Sequence, residues 1–335
     1  VKFMLNNYAY PGLVKALVDL GHEVLGMTGE PDQFNWWQHL MNERKSNEEY
    51  DAILRAQIAE HRPDVYVCGK GWHFDKHIRP ETTEWIRDRV GCTVYWSLDD
   101  PDFVPEFKKR RMHRGYQVAL TCCGASVPEY ELLGLDAHLF WPAWDPVARE
   151  GFPEVPEAER ICDFLLVGTP YTTTSPARRD VARAVAAAGM DLRIHGPDTW
   201  TKPEFGDPEL WRHYHGYWTD WRTVHHLFAQ ARINFSSHLH HSREYLNDRV
   251  PMVLGVGGFL IMDRIPGLEK WFVEGEDVVY YDDLEDLLAK AIYYLGRPGE
   301  RARIGANARA KVLVEHTYVN RAMYLLSVLA ARGLK

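Results

Sequence analysis

Short apolar runs, each followed by a polar or glycine-bearing turn and then a stretch of helical period, recur along the whole chain. Residues 3–6, 24–27, 65–68, 93–97, 118–121 and 137–140 read as strands in the first half, and 162–167, 192–195, 231–235, 259–262 and 278–281 in the second. Helical stretches separate them, for example 177–188, 218–229, 284–295 and 300–315. Strands that are apolar throughout, rather than alternating, are buried on both faces. Alternation with helices therefore predicts parallel sheets covered on both sides, an α/β class. Residues 146–160 are rich in Pro, Glu and Arg, lack a period, and read as a linker between two such units. At 335 residues two domains are expected. The boundaries read as 1–148 for the first, 149–160 for the linker, 161–316 for the second, and 317–335 for a terminal apolar helix with no obvious place in the second sheet.

Composition narrows the functional classes. A hydrophobic share of 46% with 26% charged residues is that of a globular protein, and no apolar run reaches the length of a membrane span. The beginning, VKFML, reads as a buried strand without a basic leader, so a cytoplasmic setting is expected. The net charge of −8 argues against a broad nucleic-acid-binding face. Five cysteines, an odd number, suit reduced thiols, with Cys122 and Cys123 as packing residues after an apolar strand. Twelve tryptophans are compatible with a sugar-lined cleft as well as with core packing.

The densest candidate site is REYLNDRVPMVLGVGGFLIMD, starting at Arg243. Arg243, Glu244, Asn247 and Arg249 precede an apolar run closed by Gly257 and Gly258 and a buried strand. Two readings fit: an amphipathic helix with solvated charges at its start, or a helix start near Arg243 that receives an anion, with guanidinium forks matching a phosphate. In open α/β sheets ligands bind beyond the carboxyl ends of the strands. The loops there are Gly168-Thr169, His195-Gly196-Pro197, the region of Tyr217, Ser236-Ser237 and the 243–249 segment. Gly168-Thr169 and Ser236-Ser237 offer backbone N–H groups to phosphate, and His195 to Pro197 a turn to line a base pocket. Asp99 and Asp100 end a predicted strand ahead of Pro101; they suit either a turn cap or a general base. His73, in the loop after Gly71-Trp72, is a second candidate base.

Two sets of segments carry a family resemblance. NDRVPMVLGVGGFLIMD with the run from IPGLEKWF to NRAMYLL resembles the C-terminal half of the CgeB-like, spore-coat-maturation-type glycosyltransferases. HRPDVYVCG, TVYWSLDDPDF, YQVALTC and LGLDAHLFWPAWDP resemble the N-terminal domain of the same family. The resemblance implies a GT-B fold: two Rossmann-like domains facing each other across a cleft, with the last helix crossing back to the first domain. It implies a second domain that binds a nucleotide-diphosphate sugar and a first that presents the acceptor, with Asp99 or Asp100 beside the cleft. The acceptor is open among polysaccharide, protein, small metabolite and modified DNA. The resemblance also sets up one departure. Related enzymes carry two glutamates separated by seven residues, the first facing the sugar or phosphates and the second gripping the ribose. Glu244 matches the first, while Met252 stands at the second and cannot accept hydroxyl hydrogen bonds in the same way.

No metal or cofactor is expected beyond the donor as co-substrate. His238, His240 and His241 are spaced too unevenly to share one helix face, and no phosphate-loop or dinucleotide fingerprint occurs. The expected function is metal-independent glycosyl transfer. The alternatives are a nucleotide-sugar epimerase on the same fold and a non-catalytic nucleotide- or sugar-binding component.

Overall fold

A computed structural model describes residues 1–6, 11–25, 46–69, 78–145, 155–202, 207–217 and 221–334. The chain divides into two compact units, Val1–Pro142 with Tyr318–Lys335, and Ala143–Thr317. The division falls ahead of the expected linker. Trp144 already belongs to the second unit: its N–H donates to the His316 carbonyl at 2.8 Å, and its indole lies where a side chain on Gly255 would stand.

The first unit contains β1 (Lys2–Asn6), α1 (Pro11–Asp19), β2 (Glu23–Leu25), α2 (Asn47–His61), β3 (Val65–Gly69), α3 (Pro80–Arg87), β4 (Cys92–Ser97), α4 (Phe103–Lys109), β5 (Val118–Thr121), α5 (Val127–Glu131) and β6 (Asp136–Leu139). Its sheet runs β2-β1-β3-β4-β5-β6, with every pairing parallel. β3, β4 and β5 are buried at every position, the consequence of their uninterrupted apolar sequences. On one face Tyr66, Tyr95, Phe107, Tyr116 and Tyr130 form an aromatic core. The α2 start is fixed by a reciprocal box in which Ser46 and Glu49 bond each other's backbone N–H. The last helix, Tyr318–Ala331, belongs to this unit. It packs on α1, its Tyr324 hydroxyl lies 3.0 Å from His138 Nδ1, and Arg321 Nε donates to the Trp141 carbonyl at 2.8 Å.

The second unit contains β7 (Cys162–Val167), α6 (Arg178–Ala187), β8 (Leu192–His195), α7 (Pro208–Trp211), α8 (Trp221–Gln230), β9 (Ala231–Ser236), α9 (Arg249–Gly255), β10 (Leu260–Asp263), β11 (Val279–Tyr281), α10 (Leu284–Leu295) and α11 (Pro298–Glu315); the terminal helix of the first unit is α12. The sheet is again parallel, in the order β11-β10-β9-β7-β8. Chain order therefore reverses between β7 and β9, and the ends of those two strands flank a switch point of the doubly wound type. Phe164, Leu166, Ile194, Ile233, Phe235 and Tyr281 fill the core on one side of it. Among the described residues no helix is long and apolar enough to cross a membrane.

One expectation is corrected. The helix of the charged stretch begins at Arg249 rather than near Arg243, and spans seven residues. Pro251 explains why. A helix already running from Arg243 would carry Pro251 in its interior, where the ring clashes and a hydrogen bond is lost. In the first turn its missing N–H has no cost. Glu244 also turns the chain before the helix, with a left-handed φ of 56°.

Candidate functional site

The site is built on the strand ends at the switch point. β7 is followed by Gly168, at φ 142°, a conformation open to glycine alone among common residues. A side chain there would also press on Arg178: a Cβ would stand 2.8 Å from Arg178 Nη1 and 3.7 Å from Arg249 Nη2. Both guanidinium groups thus lie against the same glycine. Arg178 opens α6 yet is only 3% exposed. Its Nη1 donates to the Thr169 carbonyl at 3.0 Å, its Nε to Ser237 Oγ at 2.9 Å and its Nη2 to the Ser237 carbonyl at 3.0 Å. One side chain therefore ties the loop after β7 to the loop after β9, across the switch point. Burial, and then the neighbouring Arg249, push its pKa down to about 9, so the charge is kept at neutral pH against an unfavourable field.

Arg249 is set by its own loop. Asn247 Oδ1 accepts the Arg249 N–H at 3.1 Å, and Asn247 Nδ2 donates to Ser236 Oγ at 3.0 Å and to the Ser237 carbonyl at 3.3 Å. Among the described residues no carboxylate pairs with either guanidinium. The structure thus brings together Gly168, Thr169, Ser236, Ser237, Asn247 and Arg249 from the expected set. It adds Arg178, which the sequence reading did not single out.

The β8 end lies beside them. Gly168 N–H donates to the His195 carbonyl at 2.8 Å, and the turn after Pro197 returns Trp200, whose Nε1 donates to the Gly168 carbonyl at 2.7 Å. Gly196 must lack a side chain because a Cβ would collide with the Gly168 carbonyl. The His195 ring stacks on His215 at 5.7 Å between centroids. Burial, then the charges of His215 and Arg193, push its pKa down to about 4, so it is neutral at physiological pH. Its Nε2 is buried with no partner among the described residues.

The β10 end carries Asp263, a buried carboxylate that accepts the His238 N–H at 2.8 Å and His238 Nδ1 at 2.6 Å, with His241 Nε2 at 3.2 Å. Among the described residues no group of three or more His, Cys, Asp or Glu side chains forms a metal-ligand set.

Other expected residues lie elsewhere. Arg243 is exposed and pairs with Glu244 at 3.5 Å, and both pack over Gly267, whose absent Cβ would meet Glu244 Cγ at 2.7 Å. Tyr217 is 60% exposed, two residues past His215. Asp100 is fully buried, and its carboxylate accepts from Thr121 Oγ1 at 2.6 Å and Tyr130 OH at 3.1 Å. With both oxygens engaged inside the first unit, Asp100 has no face for an acceptor hydroxyl, which corrects its candidacy as a base. Burial, set against hydrogen bonds from Thr121, Ser97 and Tyr130, pushes its pKa up to about 6. Asp99 is partly exposed. His73 lies outside the described residues.

Comparison with solved structures decides the architecture. Sucrose-phosphate synthase from Thermosynechococcus elongatus superposes with a TM-score of 0.66 at 11% identity, covering 98% of this chain and 98% of that one. The fold is GT-B. Anabaena HepE in complex with UDP and glucose gives 0.65 at 11% identity over 98% and 99% of the two chains. The α,α-trehalose-phosphate synthase (UDP-forming) from Burkholderia vietnamiensis gives 0.61 at 11% over 99% and 100%. In sequence, residues 178–327 match the family model described as Glycosyl transferase-like. That glycosyltransferase-like segment starts at Arg178 and runs into α12. No curated protein matches the chain by sequence.

Proposed function

We propose that this chain is a CgeB-like glycosyltransferase that moves a sugar from a nucleotide-diphosphate donor to an acceptor hydroxyl without a metal ion. The observation that carries the reading is the convergence of Arg178 and Arg249 on Gly168, with no carboxylate partner among the described residues. Two cations held against one glycine, one of them buried, repel each other, and a diphosphate relieves that repulsion with bidentate hydrogen bonds. When the bond from the sugar's anomeric carbon to the phosphate oxygen breaks, negative charge gathers on the leaving diphosphate. Fixed guanidiniums stabilise that charge without reorganising, and this is the neutralisation a divalent cation would otherwise supply. The neutral His195 and the turn through Gly196 and Pro197 are the proposed neighbours of the base. Asp99 is kept as the candidate acceptor of the hydroxyl proton. The glycosyltransferase-like match over 178–327 and the UDP-bound Anabaena HepE structure support a uridine donor as the first to try.

The test is nucleoside-diphosphate release from a panel of nucleotide sugars, with polysaccharide, protein, small-molecule and modified-DNA acceptors, in buffer with and without chelator. Acceptor-dependent release that survives chelator is expected. Release restored by one divalent ion would refute metal independence, and turnover of a nucleotide sugar without any acceptor would favour an epimerase. A second reading, a non-catalytic binding protein, has one observation in its favour: Met252 lies in α9 where the family resemblance places a ribose-gripping glutamate. Tight nucleotide binding with no release under any condition would support it.

A further inference from the structure

The segment between β9 and α9, residues 237–248, contains no helix or strand of its own. It nevertheless carries Asn247, whose Oδ1 accepts the Arg249 N–H, so its position bears on where the chain enters α9 and delivers Arg249. Most of its ties to the rest of the unit run through side chains. Arg178 holds Ser237 at one end, and Asn247 returns to Ser236 and Ser237 at the other. Between them the Glu244 N–H donates to the Pro266 carbonyl at 2.8 Å. The strongest tie is to Asp263, the last residue of β10. Its carboxylate is 2% exposed and takes three donors from this one segment: the His238 N–H, His238 Nδ1 and His241 Nε2.

We propose that Asp263 is a positioning residue for the anion site: through His238 and His241 it latches the 237–248 segment to the end of β10 and so holds Arg249 in register with Arg178. The inference rests on the reading of the arginine pair as the donor-phosphate site. Asp263 does not touch the ligand in this scheme; it acts through the loop.

The chemistry of the latch follows from its surroundings. Burial pushes Asp263 up, but the His238 charge and the hydrogen bonds from His238 and His241 outweigh this and hold it well below the usual carboxylate range. The carboxylate therefore stays ionised, and it fixes His238 with its Nδ1 proton toward Asp263. His238 Nε2 is then a buried nitrogen with no partner among the described residues. The charged and titratable groups around the latch come from four elements: His238, His241 and Tyr245 on the segment itself, Arg178 on α6, Arg249 on α9, and Tyr281 on β11. Arg178 and Asp263 act on each other across this cluster, which partly offsets the charge of the buried Arg178 without forming an ion pair.

The latch is also sensitive to protons at its outer end. His241 is half-exposed, and its hydrogen bond to Asp263 raises its pKa above the ordinary histidine value. A base whose folded pKa is raised gives a contribution fully present below its unfolded value. That contribution is lost as pH rises through the folded value. The His241 arm of the latch is therefore closed at mildly acid pH and weakens at alkaline pH.

Asp263→Asn, His238→Gln and His241→Gln test this in the full chain, with amide hydrogen exchange over 237–248 and calorimetric titration with UDP. Asp263→Asn and His238→Gln are expected to speed exchange in that segment while β7, β9 and β10 stay protected, and to weaken UDP by on the order of tenfold. For His241→Gln the ratio of its UDP dissociation constant to that of the unsubstituted protein is expected to be about threefold at pH 6 and to fall as the pH is raised. A comparison between proteins at each pH removes the titration of the UDP phosphate itself. Unchanged exchange in Asp263→Asn, or a faster-exchanging segment that still binds UDP with full affinity, overturns the proposal. If Asp263→Asn does not fold, His241→Gln, a surface change, decides: a ratio that is flat with pH overturns the proposal. If the unsubstituted protein binds no UDP but Asp263→Asn still loosens the segment, the donor-site reading fails while the latch itself stands.

Discussion

Replacing Arg178 by methionine separates a residue kept for ligand from one kept for stability. The side chain is 3% exposed, and methionine fills a similar volume. Holding its charge at neutral pH, against a pKa pushed down from 12.5 to about 9, costs about 5 kcal/mol of folding free energy. Against this stand three charge-assisted hydrogen bonds to the Thr169 carbonyl, the Ser237 carbonyl and Ser237 Oγ, each worth about 1.5 to 3 kcal/mol. The two sides are of similar size, so the melting temperature is expected to stay within a few degrees of the parent's. UDP binding is expected to weaken. Loss of a charged hydrogen-bond donor to phosphate removes about 1.5 to 3 kcal/mol, which weakens UDP by roughly tenfold to a hundredfold. The assays are differential scanning fluorimetry without ligand and calorimetric titration with UDP. A steep fall in melting temperature with UDP affinity unchanged would refute the reasoning, because it would make Arg178 a structural strut between two loops.

Arg249→Ala is expected to weaken UDP by a similar factor with little change in melting temperature, since the guanidinium lies against Gly168 while its backbone N–H carries the cap to Asn247. Equal affinity in calorimetry would remove Arg249 from the site. Asp100→Asn is expected to leave transfer near normal and to stabilise the protein above pH 6. The folded carboxyl binds its proton up to about pH 6 against an ordinary value of 3.8, so between those values the folded state holds more protons and stability falls as pH rises, by about 3 kcal/mol in all. Denaturant unfolding of both proteins at pH 4 and pH 8 checks the sign: a variant less stable than the parent at pH 8 would contradict it. Asp99→Asn is expected to lower turnover on the order of a hundredfold with donor affinity unchanged. Normal single-turnover rates in that variant would leave the base unassigned.

The strands were legible because parallel sheets leave a blunt signal. Runs such as Cys162–Val167 and Val118–Thr121 are apolar at nearly every position and end in a turn, and the structure places strands there. The terminal helix Tyr318–Ala331 was equally plain from its period. The site was legible in its loops and not in its charges. Gly168, Ser236, Ser237, Asn247 and Arg249 follow strands or open a helix, where ligands sit in such sheets. Arg178 sits in PARRDV, which reads as a solvated first turn, and only the fold turns it inward across the switch point. Asp263 ends the run FLIMD and gives no hint that it meets His238 from a loop 25 residues earlier. The Asp99-Asp100 pair shows the limit of reading position at a strand end: both lie in the turn after β4, which carries Asp100 into the core to bond Thr121 and Tyr130 while Asp99 stays partly exposed. Near Arg243 a cluster of charges before an apolar run looked like a helix start, and Pro251 was the residue that said otherwise.

The measurement that bears most directly on the central claim is a crystal structure with UDP bound at millimolar concentration. The diphosphate is expected between the Arg178 and Arg249 guanidiniums, over Gly168, with the base toward the His195 to Pro197 turn. A diphosphate held anywhere else in the second unit, or no UDP in the crystal with both arginines unchanged, would contradict the assignment of a nucleotide-sugar site there.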